Sequence, residues 1–254
     1  MTAIPTPQQP KVDRPGGTAP SLLHLDSSAS GTGDSVSRQL TALYADTWRR
    51  LSGPAADHRY RDLAADPVAP ISAAYVALGY RVERHGDVPT AEVGAFVDGA
   101  AEQREWAATL PLVTELLAAE TLLLGVPMYN LSVPASLKAW IDRVSFPGVF
   151  VDPDTGTGLL RRARIVVLGA RGGAYGPGSR GAGLDFQETY LRAYFGKLGV
   201  PGDRLSFVHA EMTRSGDRPE LARFRDQARG SLADARSAVT ALARQHAADR
   251  LAVR

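Results

Sequence analysis

Residues 121–144 constrain the fold of this 254-residue chain more than any other segment. Positions 121–126 show no alternation of apolar and polar side chains, which is typical of a strand that is covered on both faces. A turn from Pro127 to Leu131 follows, and an amphipathic helix begins near Pro134, a residue that suits the first helical turn. Because open α/β sheets bind ligands at the carboxyl ends of their strands, this turn is a candidate binding site.

Similar apolar runs alternate with helical patterns along the rest of the chain, which predicts βαβ units and a parallel sheet. The expected strands are Ser21 to Asp26, Arg59 to Leu63, Thr121 to Val126, Ala163 to Leu168 and Arg204 to His209. Helices are expected from about Ser35, from Ile71 to Leu78, from Glu92 or Asp98 to Ala118, from about Pro134, from Asp185 to Lys197, and over a long C-terminal stretch with one apolar stripe. We expect one α/β domain over residues 21–254, preceded by a disordered tail at residues 1–20.

Composition excludes several classes of function. The formal net charge is only +2, so nucleic-acid binding has no electrostatic support. The chain has no cysteine, which excludes disulfides and thiolate chemistry and is compatible with the cytoplasm. No apolar run is long enough to cross a membrane. The histidines lack metal-ligand spacing, and no Gly-x-Ser-x-Gly motif is present, so neither a metal site nor a catalytic residue is expected.

The loop after the first strand, residues 27–37, is rich in serine and glycine and leads into a helix. Hydroxyl groups, backbone N–H groups and the helix dipole can together bind a phosphate. The loop lacks the lysine of a P-loop, and Val36 stands where a dinucleotide fingerprint needs its third glycine. A nucleoside triphosphate and a Rossmann dinucleotide are therefore poor ligands, and an ordinary serine cap on the helix is the alternative.

The turn Pro127-Met128-Tyr129-Asn130, with the helix sequence Pro134-Ala-Ser-Leu-Lys-Ala-Trp-Ile-Asp142, resembles the FMN-dependent NAD(P)H:quinone oxidoreductase and azoreductase family. Stretches that contain Ser28, Ser35, Gly172 and Tyr190 match in the same order, over roughly residues 21–212. The resemblance implies a flavodoxin-like, doubly wound, five-stranded parallel sheet of order 2-1-3-4-5. It also implies bound FMN, NADH or NADPH as co-substrate, and a homodimer with flavin sites at the subunit interface.

The resemblance also assigns site residues. Those expected to bind FMN are Ser28, Ser35, Val36, Ser37, Pro127, Met128, Tyr129, Asn130, Leu131, Ala170, Arg171, Gly172 and Gly173. Those expected to line the pocket for a small aromatic acceptor are Phe146, Phe150, Tyr194 and Lys197. The chain departs from the family pattern at Leu131, Ala170, Pro153 and Lys197, where an aromatic or hydroxyl residue is usual, so its acceptor can differ.

The function that these residues imply is two-electron transfer from NAD(P)H through the flavin to a quinone, azo or related aromatic compound, by a ping-pong mechanism. Three alternatives stay open. One is a pathway-specific flavin reductase that acts on a specialised metabolite. Another is a flavodoxin-like electron carrier, although such carriers are usually strongly acidic. The third is a partner-binding protein without flavin.

Overall fold

The computed structural model describes residues 20–31 and 33–252. Within these residues, five strands form one parallel sheet in the order β2-β1-β3-β4-β5, which confirms the predicted order. The strands are β1 (Ser21–Asp26), β2 (Asp57–Asp62), β3 (Thr121–Pro127), β4 (Arg164–Ala170) and β5 (Leu205–Ala210). The tail was predicted for residues 1–20. Residues 1–19 lie outside the described part, which begins at Pro20.

In the described part of the chain, six α-helices connect and cover the strands: α1 (Val36–Ser52), α2 (Ala73–Glu83), α3 (Gly99–Ala118), α4 (Ala135–Val144), α5 (Phe186–Lys197) and α6 (Arg225–Ala252). Short 3-10 helices cover Val93–Phe96, Gly202–Arg204 and Pro219–Phe224. No helix in the described residues is long and apolar enough to cross a membrane.

The sheet has an apolar core on each face. One core is formed with α2, α3, α4 and α5, and it includes Trp140, which is 1% exposed. The other core is formed with α1 and α6, through residues such as Leu40 and Val239. Every residue of β3 is buried, because this central strand is covered on both faces.

Several predicted boundaries were wrong by a few residues. Strand β2 begins at Asp57 rather than Arg59, because this edge strand is polar throughout and has no apolar pattern to mark its start. Helix α2 runs from Ala73 to Glu83, five residues beyond the predicted end at Leu78. Pro134 stands immediately before α4 instead of inside its first turn.

His246 belongs to α6 and is buried against α1, although its neighbours in the sequence are polar. It is 9% exposed, and its Nδ1 atom lies 2.8 Å from the hydroxyl of Tyr44. Burial lowers the pKa of His246 to about 4, from an ordinary value of 6.5. The unfolded chain therefore takes up a proton at higher pH than the folded chain, so acid favours unfolding between these two pH values.

We expect the free energy of unfolding to fall by about 2 kcal/mol between pH 6.5 and pH 4 because of this one residue. His246→Phe should reduce that loss, and urea unfolding at several pH values measures it. His85→Phe, at an exposed position, is the matched control and should retain the wild-type pH dependence. Identical acid sensitivity in His246→Phe and wild type would contradict the assignment.

Candidate functional site

Three connections leave the carboxyl ends of neighbouring strands at one edge of the sheet. The first turn, residues 27–31 and 33–35, joins β1 to α1. The second turn, residues 128–134, joins β3 to α4, and the third turn, residues 171–175, follows β4. Since β1, β3 and β4 are adjacent and parallel, these turns lie side by side. We call this edge the rim.

Hydrogen bonds connect the first turn to the second, and the second turn to the end of β4, where the third turn begins. The N–H of Ala29 donates to the hydroxyl of Tyr129 at 3.1 Å, which joins the first turn to the second. The N–H of Met128 donates to the carbonyl of Ala170 at 2.9 Å, which joins the second turn to the end of β4. The rim is thus one connected surface at the carboxyl ends of these strands.

The first turn has the features of an anion site. Ser35 is the N-cap of α1, and its hydroxyl accepts a hydrogen bond from the N–H of Arg38 at 3.4 Å and lies 3.2 Å from the hydroxyl of Ser37. The N–H groups of Val36 and Ser37 belong to the first helical turn, where they have no partner within the helix. Helix α1 has no acidic residue in its first turn. An anion here would meet free donors and the positive end of the helix dipole.

Ser28 lies at the start of the same turn and is 3% exposed. Its hydroxyl accepts a hydrogen bond from the N–H of Ser30 at 3.2 Å, so it orders the loop before α1. Ser27, which the sequence interpretation left out of the site, fixes this loop to β3. Its N–H and its hydroxyl both donate to the carbonyl of Gly125, at 3.1 and 2.8 Å.

The second turn is held in a strained backbone conformation. Asn130 and Leu131 have φ angles of +48° and +71°, and the flanking residues Tyr129 and Ser132 exchange two backbone hydrogen bonds of 3.0 Å. Left-handed φ angles cost about 1 kcal/mol or more in a residue such as leucine, and such strain concentrates at functional sites. Within residues 20–31 and 33–252, the N–H groups of Asn130 and Leu131 have no acceptor. The turn therefore presents two unused donors beside the half-buried Met128.

The third turn supplies two further donors. In the described part of the chain, the N–H groups of Gly172 and Gly173 donate no hydrogen bond. A Cβ atom on Gly172 would lie 3.1 Å from Cδ of Arg214, so this position has little room for a side chain. The carbonyl of Gly173 accepts a hydrogen bond from the N–H of Met212 at 3.2 Å, which fixes the turn against the end of β5. Ala170, the last residue of β4, contributes its carbonyl to the second turn instead of a hydroxyl.

Arg171 is placed differently from the other residues assigned to the cofactor. Its side chain is 4% exposed and bonds to Asp185 and, at 3.0 Å, to His209, while its N–H donates to the carbonyl of Ala210. Hydrogen bonding from His209 lowers the pKa of the neighbouring Glu188 to about 2. These groups line an acidic groove of about 820 Å³ against β5 and α6. The side chain of Arg171 therefore stabilises that end of the sheet and is not available to the rim.

The four residues expected to line an acceptor pocket do not meet at the rim of their own chain. Phe146 and Phe150 are 3% and 5% exposed and pack in the apolar core of their own chain. Tyr194 bonds to the hydroxyl of Ser145 at 2.8 Å, and Lys197 is exposed at the end of α5. Since α4 and α5 run back from the rim, all four lie toward the opposite edge of the sheet.

A buried polar network below the first turn was missed from the sequence. Arg38 bonds through both terminal nitrogens to Asp62, each at 2.7 Å, and Tyr60 donates to Asp26 at 3.1 Å. Hydrogen bonding from Arg38 lowers the pKa of Asp62 below its ordinary value. One signal could have indicated the network: a positive charge in the first turn of a helix opposes the helix dipole and needs a local partner.

The rim as a whole suits a planar ligand that carries a phosphate. The first turn offers an anion site, and the second and third turns offer four unused N–H donors beside partly exposed apolar groups. Among the described residues, no cluster of three or more histidine, aspartate or glutamate side chains could hold a metal ion. The donor set therefore fits an organic phosphate with a polar ring edge.

Comparison with known proteins supports this interpretation. The model of a family described as having a flavodoxin-like fold matches residues 20–232. An FMN-dependent NADH:quinone oxidoreductase of Nocardia farcinica (strain IFM 10152) is 40% identical over 227 residues, which cover 89% of this chain and 99% of that protein. FMN-dependent NADH:quinone oxidoreductase 2 of Xanthomonas axonopodis pv. citri (strain 306) is 43% identical over 216 residues, or 84% and 92% of the two chains.

Solved structures share the fold at lower sequence identity. An azoreductase from Bacillus anthracis str. Sterne superposes with a TM-score of 0.71 at 19% identity, covering 89% of this chain and 99% of that one. An FMN-dependent NADH-azoreductase from Bacillus anthracis str. Ames Ancestor in complex with FMN gives a TM-score of 0.68 at 20% identity, over 88% and 99%. The chain therefore belongs to the flavodoxin-like family that includes these FMN-dependent NADH:quinone oxidoreductases.

Proposed function

We propose that this protein is an FMN-dependent oxidoreductase that passes two electrons from NADH or NADPH to a quinone, azo or related aromatic acceptor. The observation that carries the proposal is the connected rim, where an anion site and two turns with unused N–H donors lie together. The names of relatives that are about 40% identical over most of their length support the same activity.

Each turn has a distinct part in holding FMN. The phosphate would be bound by the first turn, through Ser28, Ser35, Val36 and Ser37. The ring system would lie along the second and third turns, against Pro127, Met128, Tyr129, Asn130, Leu131, Ala170, Gly172 and Gly173. When bound, FMN would supply the two-electron chemistry, and backbone N–H donors can stabilise negative charge on the edge of such a ring. For Arg171 we retain only a main-chain role in shaping the third turn.

A ping-pong cycle is the kinetic scheme that we propose. Tyr129 is 38% exposed and Asn130 is also exposed, so the second turn is open to solvent on its outer side. One open face can accept the nicotinamide and, after its departure, the acceptor. The loop between β1 and α1, where a dinucleotide fingerprint would stand, has Val36 in place of the third glycine, which agrees with a nicotinamide that binds against the flavin.

The direct test measures NAD(P)H oxidation by the FMN-loaded protein with menadione as acceptor. We expect the oxidation to depend on both FMN and menadione, with parallel lines in double-reciprocal plots at several menadione concentrations. Protein that binds FMN but does not oxidise NADH or NADPH would instead be an electron carrier. A panel of quinone, azo and nitro compounds, run with both nicotinamides, identifies the acceptor class and the preferred donor.

We also propose that the protein acts as a homodimer. The segment after α4, with Phe146 and Phe150, and the end of α5, with Tyr194 and Lys197, lie away from the rim of their own chain. A second copy of the chain can bring such segments to this rim. Light scattering of the FMN-loaded protein should give about twice the chain mass of 27.0 kDa, and a monomer that retains full activity would contradict the proposal.

Asn130→Asp tests the charge environment of the ring. A carboxylate on the second turn disfavours the addition of electrons to a neighbouring flavin, so we expect a midpoint potential that is lower by about 30 mV or more. Titration with redox dyes measures the potential. Asn130→Gly is the control, because glycine accepts the positive φ angle and adds no charge. An unchanged potential in Asn130→Asp would mean that this side chain does not face the ring.

A further inference from the structure

Arg38 occupies an unusual position, the third residue of α1, with its side chain only 5% exposed. Its Nη2 atom donates to the carbonyl of Ser28 at 2.8 Å. The two terminal nitrogens also donate to the two carboxylate oxygens of Asp62, each at 2.7 Å. One guanidinium thus connects the first turn of the rim to the end of β2.

The contacts of Arg38 extend to β1 through Tyr60. Nη1 of Arg38 donates to the hydroxyl of Tyr60 at 3.0 Å, and that hydroxyl donates to the buried carboxylate of Asp26 at 3.1 Å. Thr41 of α1 donates to the same carboxylate at 2.9 Å. Asp62 is itself fixed, because one of its oxygens accepts hydrogen bonds from two backbone N–H groups, those of residues 64 and 65. The network therefore couples four elements, namely the first turn, α1, β1 and β2.

The charges around Arg38 indicate what it can contribute. Asp62 lies in direct contact with the guanidinium, and the carboxylate of Asp26 lies 3.8 Å from Nη1. Two carboxylates compensate the one positive charge, so little of it remains to attract a phosphate. The rigid fork of the guanidinium is the property that no other side chain supplies, because it bonds to a carboxylate and to a carbonyl at fixed angles.

We propose that Arg38 is a positioning residue for the phosphate site. Its side chain holds the first turn in place through the carbonyl of Ser28, and it acts by geometry rather than by charge. This inference rests on the proposed function, since the ligand whose phosphate is recognised is FMN. Lysine cannot replace Arg38, because a single ammonium group does not match both oxygens of Asp62 and the carbonyl of Ser28 at once.

The test compares FMN with riboflavin, which lacks the phosphate. Apoprotein is titrated with each flavin, and quenching of flavin fluorescence gives the two dissociation constants. For Arg38→Lys and Arg38→Met we expect FMN binding to weaken about tenfold or more, and riboflavin binding to change less than about twofold. Arg49→Met, at an exposed position of the same helix, is the matched control and should behave as wild type.

Asp62→Asn separates geometry from charge without substituting Arg38 itself. Loss of one carboxylate makes the local charge more positive, but it also loosens the guanidinium. If Arg38 acts by positioning, Asp62→Asn binds FMN more weakly and binds riboflavin as the wild type does. Tighter FMN binding in Asp62→Asn would overturn the inference. Arg38 variants that keep the wild-type ratio of FMN to riboflavin affinity, including variants that bind both flavins equally more weakly, would also overturn it. If circular dichroism shows that the Arg38 variants are unfolded, the result for Asp62→Asn alone decides whether Arg38 positions the first turn. If the wild-type protein binds FMN no more tightly than riboflavin, that result would instead contradict the phosphate site of the proposed function.

Discussion

Replacing Ser35 with aspartate is expected to weaken FMN binding about 100-fold or more while helix α1 stays intact. Ser35 is the N-cap of α1, and aspartate caps a helix as well as serine does. A carboxylate at this position lies where the phosphate would bind, and two negative charges about 4 Å apart near a protein surface repel by about 4 kcal/mol. The added charge would also take up the donors and the helix dipole that the phosphate needs.

The control for this substitution is Ser35→Asn, which also caps a helix but adds no charge. Fluorescence titration should show FMN binding within about tenfold of wild type for Ser35→Asn, and riboflavin binding that is nearly equal in all three proteins. If Ser35→Asp binds FMN as tightly as Ser35→Asn does, the phosphate does not lie at the start of α1.

Gly125→Ala is expected to destabilise the fold by about 3 kcal/mol, at the upper end for overpacking of a core. A Cβ atom on Gly125, in the central strand β3, would lie 2.1 Å from Oδ1 of Asp26 and 3.1 Å from Cγ2 of Thr41. Asp26 cannot move away easily, because Thr41 and Tyr60 both donate hydrogen bonds to it. For a protein of this size the loss corresponds to a fall of roughly 6–12 °C in melting temperature.

Thermal unfolding followed by circular dichroism measures this effect, and Gly230→Ala is the matched control. Gly230 lies inside α6, and a Cβ atom added to it would meet no atom within 4 Å, so alanine there should stabilise the helix by about 0.5–1 kcal/mol. A melting temperature for Gly125→Ala equal to that of wild type would mean that Asp26 is free to move, and the network below the first turn would then not be rigid.

The sequence predicted the fold well where the pattern of side chains is set by local burial. Strand β1 has the predicted bounds, and α5 begins one residue after its predicted start at Asp185. Asp185 is the N-cap of α5, and its carboxylate accepts hydrogen bonds from the N–H groups of Gln187 and Glu188. Strand β2 was poorly placed because an edge strand needs no apolar face, and its residues are selected for polar contacts such as the bond between Arg38 and Asp62.

The site was predicted in part for a similar reason. The three turns have short-range signatures, namely serines before a helix, a proline-stiffened turn and a glycine pair. A positive charge in the first turn of α1 indicates that Arg38 needs a partner. The partners themselves lie on β1 and β2, and no local pattern reveals which residues they are. The resemblance assigned Phe146 and Phe150 to a pocket because aromatic residues stand in the segment after α4, and the packing shows that both lie in the core of their own chain.

Backbone amide NMR of the isotope-labelled apoprotein, titrated with FMN, tests most directly whether the three turns bind one flavin. Saturation at one FMN per chain is expected, with the largest shift changes at the N–H groups of Ser37, Asn130, Leu131, Gly172 and Gly173. Changes confined to one turn, or centred on the acidic groove around Arg171, would contradict a flavin site at the rim.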